Sequence, residues 1–268
     1  MANALPRAKP GKPDDALLLA LLAGDSGLGR CGLSALLELR RRQREIMAGS
    51  RGALVRLEPA AAAPFLELGQ IGRDSPLVAD YHSLLVLELC RHFPAHGHSL
   101  RGLLGARRSG LDLSTLSLSL WREFGQDQFF KAADEHGIDP HLLAATLWLA
   151  LKPLYEGVAL ALARHFDLPQ GGRDCPACGG PPWAMCEGRL RCAVCETAWQ
   201  AVLPGPWREV EGPQARGARR LYHAESAQRM CELDESLFET AFDPGPFIEL
   251  LALLEKPPVD TDPPIAIE

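Results

Sequence analysis

Two Cys-x-x-Cys pairs constrain the fold of this chain more than any other feature of its sequence. Cys175 and Cys178 form the first pair, and Cys192 and Cys195 form the second. Two residues between cysteines allow one tight turn to direct both sulfurs at a single ion, and Gly179 permits the left-handed backbone that such a turn needs. Two turns supply four thiolates, the tetrahedral set taken by zinc or by rubredoxin-type iron. The pattern therefore predicts one Zn or Fe ion per chain, bound by Cys175, Cys178, Cys192 and Cys195.

Other uses of paired cysteines fit this sequence less well. A disulfide framework needs an oxidising compartment, and Asp14 and Asp15 stand directly before the apolar run 16–23, where a secretory signal would carry no acid. A thioredoxin-type pair needs a βαβ context and a single exposed Cys-x-x-Cys. Four protein ligands leave no open coordination position, so we expect a structural centre, or a one-electron centre if the metal is iron. The spacing does not distinguish zinc from iron.

Composition and charge limit the function classes further. The 268 residues are 47% hydrophobic and 23% charged, with a net charge of −6, which is an ordinary globular composition. The negative balance argues against a general nucleic-acid coat or a polybasic membrane binder. The longest apolar stretch, 142–151, is too short to cross a bilayer, and Lys152 and Pro153 follow it. We expect a cytoplasmic protein that does not insert into membranes.

The first part of the chain, residues 1–167, reads as a series of helices. Ser34 can cap a helix that runs to about Met47, and Asp74-Ser75-Pro76 begins another, which Pro94 ends. Asp139-Pro140 begins a further helix, which Pro153 should kink or break before helix resumes.

Three segments in this part need a closer reading. Leu113–Leu120 alternates Leu with Ser or Thr and fits a strand as well as a helix, but its place among helices favours a helix. Arg40-Arg41-Arg42 is read as a solvated helix face. A cluster of three histidines is read as part of a solvated loop, with metal or anion binding as less favoured uses; these are His92, His96 and His98.

The second part, residues 168–268, differs in composition and in the length of its predicted elements. Gly and Pro recur every few residues from Cys175 to about Gly217, between short strand-like pieces at 183–185, 190–192 and 198–203. A last helix is predicted from Pro246 to about Lys256. The fold class is therefore α+β, with a helical N-terminal domain followed by a small rubredoxin-like or zinc-ribbon-like domain.

The order of these features resembles the formate dehydrogenase accessory protein family of the FdhE type. The resemblance rests on Leu-Lys-Pro-Leu-Tyr-Glu-Gly at 151–157, Cys-Pro-x-Cys-Gly at 175–179 and Leu-Arg-Cys-x-x-Cys-Glu-Thr-x-Trp at 190–199. It implies a helical domain, a C-terminal pair of rubredoxin-like lobes, and a cytoplasmic assembly factor. Such a factor binds the catalytic subunit of a molybdenum- or tungsten-dependent formate dehydrogenase and helps to bring it to an active state.

The chain departs from the family pattern at the second lobe. The family carries a second set of two Cys-x-x-Cys pairs there, whereas this chain has the cysteine-free run Trp207–Gly212 and then only Cys231. We therefore expect one metal per chain and a second lobe held by packing alone. Cys186, which has no partner spacing, is read as a buried or incidental thiol.

The leading hypothesis is a maturation factor that binds the catalytic subunit of a formate dehydrogenase and is not itself an enzyme. The sequence holds no Gly-rich phosphate loop, His-Glu-x-x-His or Gly-x-Ser-x-Gly motif. One alternative is an electron-transfer or thiol-redox protein that uses iron. Another is a zinc-ribbon nucleic-acid module, although residues 175–225 hold six Arg against five Glu, where such a module should be clearly basic. The oligomeric state is left open.

Overall fold

The computed structural model describes residues 35, 38–45, 77–120, 126–165, 172–201, 207–209, 218–223, 228–233, 235 and 250–254. Among the described residues helices come first, strands follow and a short helix comes last, which confirms the α+β class. The helices are α1 (38–45), α2 (Leu77–His92), α3 (Gly97–Arg108), α4 (Leu113–Ser119), α5 (Gln126–His136), α6 (Pro140–His165) and α7 (250–254). The strands are β1 (Pro182–Cys186), β2 (Arg189–Cys192), β3 (Ala198–Gln200), β4 (Trp207–Glu209), β5 (Ala218–His223) and β6 (Gln228–Leu233).

Helix α6 lies at the centre of the helical part, which comprises α1 to α6. Asp139 caps it, because its Oδ1 accepts hydrogen bonds from the backbone N–H groups of His141 and Leu142 at 2.8 and 3.1 Å. The helix packs against α2, α4 and α5. It is long and apolar enough to cross a membrane by length and composition, but 78% of its most apolar window is buried inside the protein. Its hydrophobicity therefore serves the core.

Of the kink or break predicted at Pro153, the break is wrong, because α6 continues through that residue from Pro140 to His165. Proline has no N–H, so the carbonyl of Leu149, four residues earlier, loses its usual helical donor. Gln43 of α1 replaces that donor: its Nε2 donates to the Leu149 carbonyl at 2.7 Å. The helix continues because a residue distant in sequence completes its hydrogen bonding.

The interpretation of 40–42 as a solvated face is wrong for Arg40. Its side chain is buried and pairs with the buried carboxylate of Glu156 at 2.7 Å. Arg41 and Arg42 are exposed and pair with acids of the same helix, as a solvated face would. The helical spacing of the run turns Arg40 towards α6 and the other two away from it.

Other predicted helices agree with the structure in part. The segment 113–120 is helical from Leu113 to Ser119, as predicted, and Asp112 caps it by accepting hydrogen bonds from the backbone N–H groups of Ser114 and Thr115. The loop predicted for the three histidines is wrong for His92, which ends α2, and for His98, which lies in α3, because a 3-10 turn over Pro94–His96 leads directly from one helix to the next. Of the predicted helix 34–47, the described residues 35 and 38–45 are helical, and Met47 lies outside the described residues. The starting residues 74–76 of the next helix also lie outside them.

The strands form one six-stranded sheet in the order β3-β2-β1-β6-β5-β4. Every neighbouring pair is antiparallel except β1 and β6, which pair in parallel through Ala184 with Cys231 and Met185 with Glu232. The β1–β2 hairpin turns through Glu187 and Gly188, both at positive φ (48° and 78°), as a two-residue type I′ turn requires. Strands β4 to β6 are called here the second lobe. They are joined to β1 to β3 by backbone pairing as well as by packing.

The central core continues from the helices into the sheet part, which comprises 172–201 and β4 to β6. Leu250, Leu251 and Leu254 of α7 are buried in the same core cluster, which confirms the described portion of the last predicted helix. Trp199 of β3 also belongs to this cluster. The helices and the sheet therefore share one apolar interior.

The pairing of Gln43 with Leu149 predicts a specific pattern of non-additivity. Gln43→Leu should lower the free energy of unfolding by about 1–2 kcal/mol, because a buried carbonyl loses its donor. In a Pro153→Ala background residue 153 regains an N–H, so the same change should cost less than half as much. Chemical denaturation of the four proteins measures this cycle. Equal costs in both backgrounds would contradict the account.

His82 gives a second prediction. Its ring is fully buried, its Nε2 lies 3.0 Å from the Thr146 hydroxyl, and its Nδ1 has no hydrogen-bond partner among the described residues. Burial, with a smaller contribution from the charge of Arg107, lowers the pKa of His82 from 6.5 to about 4. The unfolded chain therefore binds a proton more readily than the native chain below pH 6.5, and stability falls as the pH falls towards 4.

His82→Leu should remove this pH dependence. Between pH 7 and pH 5 the wild type should lose about 2 kcal/mol more stability than the variant, measured by chemical denaturation at both pH values. The exposed His98 is the matched control, and His98→Gln should leave the loss unchanged. A His82→Leu variant that loses as much as the wild type would refute the role assigned to this ring.

Candidate metal centre

The four predicted cysteines come together at the base of the sheet. Cys175 and Cys178 lie in the loop before β1, Cys192 ends β2, and Cys195 lies in the turn before β3. Their sulfurs all lie within 4.8 Å of one another, with Cys175 Sγ 3.6 Å from Cys195 Sγ and Cys178 Sγ 3.5 Å from Cys192 Sγ. A tetrahedral ion with metal–sulfur bonds of about 2.3 Å holds its sulfurs about 3.8 Å apart, whereas a disulfide needs about 2.05 Å. The spacing fits one metal ion and no disulfide.

The first cysteine turn, Cys175–Gly180, is called here the first knuckle. Gly179 N–H donates to the Cys175 carbonyl at 2.7 Å, and Cys175 N–H donates to the Gly180 carbonyl at 2.9 Å. Gly179 has a φ of 72°, as the Cys-Pro-x-Cys-Gly pattern predicts. A Cβ on Gly180 would lie 2.6 Å from Val194 Cγ2 and 3.0 Å from Cys192 Sγ. Glycine at 180 therefore allows the two cysteine turns to approach each other.

The second cysteine turn, Cys192–Thr197, is called the second knuckle and repeats the same hydrogen bonds. Glu196 N–H donates to the Cys192 carbonyl at 3.2 Å, and Cys192 N–H donates to the Thr197 carbonyl at 3.0 Å. The backbone N–H groups of Val194 and Cys195 point at Cys192 Sγ from 3.3 and 3.5 Å. Such donors favour a thiolate over a thiol, and a metal requires the thiolate.

The thiols of the cluster also act on one another. Burial would raise the pKa of Cys195, but hydrogen bonds from the other three thiols hold it well below its ordinary value. A hydrogen bond with Cys175 raises the pKa of Cys178, and burial raises that of Cys192. Buried thiols this close together depend on one another for hydrogen bonds. A bound cation would replace these mutual contacts with bonds to four thiolates.

Glu196 is the unexpected residue of this site. It stands where the first knuckle has Gly179, yet it has a side chain and a φ of 58°, a conformation that costs an L-residue about 1 kcal/mol or more. Its carboxylate is almost fully buried and accepts three hydrogen bonds. The donors are Lys152 Nζ at 2.6 Å, Arg191 Nε at 3.0 Å and Trp183 Nε1 at 3.2 Å. Burial would raise the pKa of Glu196, but the charges of Lys152, Arg191 and Arg40 lower it.

Lys152 brings helix α6 into the site. Its side chain is fully buried, and its Nζ donates to the carbonyl of Ala193, inside the second knuckle, at 2.8 Å, as well as to Glu196. One turn further along α6, Glu156 pairs with Arg40 of α1. Both Lys152 and Glu156 belong to the Leu-Lys-Pro-Leu-Tyr-Glu-Gly segment, so this segment contacts the second knuckle through Lys152 and helix α1 through Glu156.

The other cysteines and histidines of the described residues do not join the cluster. Cys186 is buried in β1, as expected, and Cys231 is half-buried in β6. Among the described residues, the four predicted cysteines form the one group of His, Cys, Asp or Glu close enough to hold a metal. His92 lies 3.5 Å from the carboxylate of Glu88 on its own helix. The sequence reading missed Lys152 and Glu196, although both lie in motifs on which the resemblance rests.

Comparison with known proteins shows a likeness of fold. No protein-family model and no curated protein matches the sequence. Among solved structures, the FdhE protein from Pseudomonas aeruginosa is similar over 89% of this chain and 87% of its own, with a TM-score of 0.55 and 18% sequence identity. At that identity the likeness defines the fold and not the activity. The resemblance predicted from the Lys-Pro and paired-cysteine motifs is therefore confirmed in the fold, and this chain has the fold of an FdhE protein.

Proposed function

We propose that this chain is a cytoplasmic accessory protein for a formate dehydrogenase, that it is not an enzyme, and that one Zn or Fe ion bound by Cys175, Cys178, Cys192 and Cys195 supports its fold. The observation that carries the proposal is the conjunction of an FdhE fold with a buried four-thiol cluster in the motifs of the FdhE type. The partner is the catalytic subunit of the dehydrogenase.

A structural role for the metal is supported because the site has no position that is open to solvent or substrate. All four cysteines are buried, and four sulfurs fill a tetrahedral coordination sphere without leaving a position for water or substrate. The strands beside the site are short, from three to six residues each. A small sheet of this kind gains much of its stability from a metal, because ligands that gather only in the folded state turn binding energy into folding energy.

A binding role rather than a catalytic one is supported by the use of the buried charges. Lys152 and Glu196 pair with each other, and Arg40 pairs with Glu156. Catalytic groups usually face a cleft in which a substrate can reach them. These four charges face one another between α1, α6 and the second knuckle, so they hold the protein together.

The two alternative functions remain distinguishable. An iron-based electron-transfer protein would use the same four sulfurs and show a visible spectrum that changes reversibly with potential. A zinc-ribbon nucleic-acid module would need a basic face, and Arg191 of the near-neutral segment 175–225 is already paired with Glu196. No observation in the described residues favours either alternative over the accessory role.

The proposed metal centre predicts the metal content of cysteine variants. Wild-type protein should hold one Zn or Fe ion per chain, and Cys175→Ser should abolish stable binding because three sulfurs and an alcohol hold these metals poorly. Cys186→Ser and Cys231→Ser are matched controls and should retain one ion. Elemental analysis of the purified proteins, with circular dichroism to follow helix content, measures this. Metal lost equally from a control variant would contradict the assigned ligand set.

The proposed partner predicts the outcome of an affinity capture from the cells that make the protein. Tagged wild-type chain should recover a formate dehydrogenase catalytic subunit, identified by mass spectrometry, and should raise the activity of that enzyme when restored to cells that lack the chain. Cys175→Ser should recover at least about ten times less, a loss of about 1.4 kcal/mol or more in binding. Wild-type chain that recovers nucleic acid, or no dehydrogenase, would refute the accessory role.

A further inference from the structure

We infer that Lys152 and Glu196 form a latch that couples metal binding at the four cysteines to the docking of the sheet part on helix α6. The inference rests on the proposed metal ligation and not on the proposed partner enzyme. The observations that carry it are the position of Glu196 in the second knuckle and the complete burial of Lys152.

The first step is the choice of residue at 196. The two knuckles have the same hydrogen-bond pattern, and the residue after the second cysteine is left-handed in both. Glycine at this place, as at 179, would satisfy the turn without backbone strain. Glu196 accepts the strain, and its carboxylate contacts Lys152 of a helix distant in sequence. The side chain at 196 therefore serves the contact with α6 rather than the turn.

The second step is the position of the acceptors for Lys152. A fully buried ammonium is stable only when its donors are satisfied. Two of its acceptors, the Ala193 carbonyl and the Glu196 carboxylate, belong to the second knuckle. Ala193 lies between Cys192 and Cys195, so a metal that fixes these two sulfurs also fixes the carbonyl between them. A bound metal would therefore hold the acceptors of the second knuckle in the position that Lys152 contacts.

The third step is charge. Four thiolates around a divalent ion carry two negative charges in excess of the metal. Lys152 and Arg191, with the single carboxylate of Glu196 between them, place more positive than negative charge beside the knuckle. A docked helix thus favours the charged, metal-bound cluster. Because coupling between two equilibria is reciprocal, the bound metal favours the docked helix by the same factor.

Zinc affinity tests the latch, measured on the full chain by competition with a chelator of known affinity. Lys152→Met, which keeps the length of the side chain and removes its charge, should weaken zinc binding by about 10–100-fold, the usual effect of removing a partner of a metal site's immediate surroundings. The exposed Lys131 is the matched control, and Lys131→Met should bind zinc as the wild type does.

Glu196→Gly separates the latch from a role confined to the turn. If Glu196 serves only the turn, glycine should bind zinc as tightly as the wild type or more tightly, because the backbone strain is relieved. The latch predicts the opposite, a loss of about 10–100-fold. The double variant Lys152→Met/Glu196→Gly should be about as weak as the weaker single variant, because the two residues act as one unit.

Hydrogen exchange supplies the reciprocal readout. Removing zinc from the wild type should speed the exchange of backbone amides at 149–156 of α6, while amides of α3 should not change. In Lys152→Met the amides at 149–156 should exchange at one rate with and without zinc. Circular dichroism checks that each variant keeps its helices, and if Lys152→Met does not fold, Glu196→Gly alone decides.

Each result separates the two proposals. Zinc affinity unchanged in Glu196→Gly, or exchange in α6 that ignores zinc in the wild type, would overturn the latch and leave the metal centre standing. A wild-type chain that takes up neither zinc nor iron would overturn the metal centre, and the latch with it.

Discussion

The buried ion pair between Lys152 and Glu196 is the contact on which the arrangement of helices and sheet depends. A fully desolvated ammonium costs several kcal/mol unless it is paired, and here the partner, Glu196, lies in the second knuckle. The pair therefore specifies position more than it adds stability, because Lys152 meets the Ala193 carbonyl and the Glu196 carboxylate together at the second knuckle. The neighbouring pair of Arg40 with Glu156 extends the same constraint to α1.

Pro153 imposes a second constraint on the same helix. The residues of α1 that lie beside α6 satisfy it. Lys152 docks on the sheet at a point where the next residue removes a helical hydrogen bond. Gln43 restores that bond by donating to Leu149, and it also accepts from Arg40 at 3.2 Å. A helix that carried Lys152 without this support would be free to bend beside the metal site. Helix α1 thus supports the helix that carries Lys152.

How much of this could be predicted depends on the distance over which each contact acts. The four-cysteine cluster follows from spacing within two short turns, and the left-handed Gly179 follows from local backbone chemistry, so the sequence predicts both. The continuity of α6 depends on Gln43, which is remote in sequence, and proline alone predicts a break. The burial of Arg40 likewise depends on Glu156, and a run of arginines gives no sign of which one turns inward.

The second lobe holds one cysteine, Cys231, and its strands are joined to the rest of the sheet by backbone pairing. A metal in a small lobe replaces the apolar core that the lobe is too short to build. Here β6 pairs with β1 in parallel, so the second lobe continues the sheet that lies beside the first and second knuckles. Met230 and Leu233 of β6 are buried, while Cys231 between them is only half-buried. Strands joined to β1 in this way need less stabilisation of their own, and the four-cysteine cluster that could hold a metal lies in the part of the sheet that Lys152 contacts.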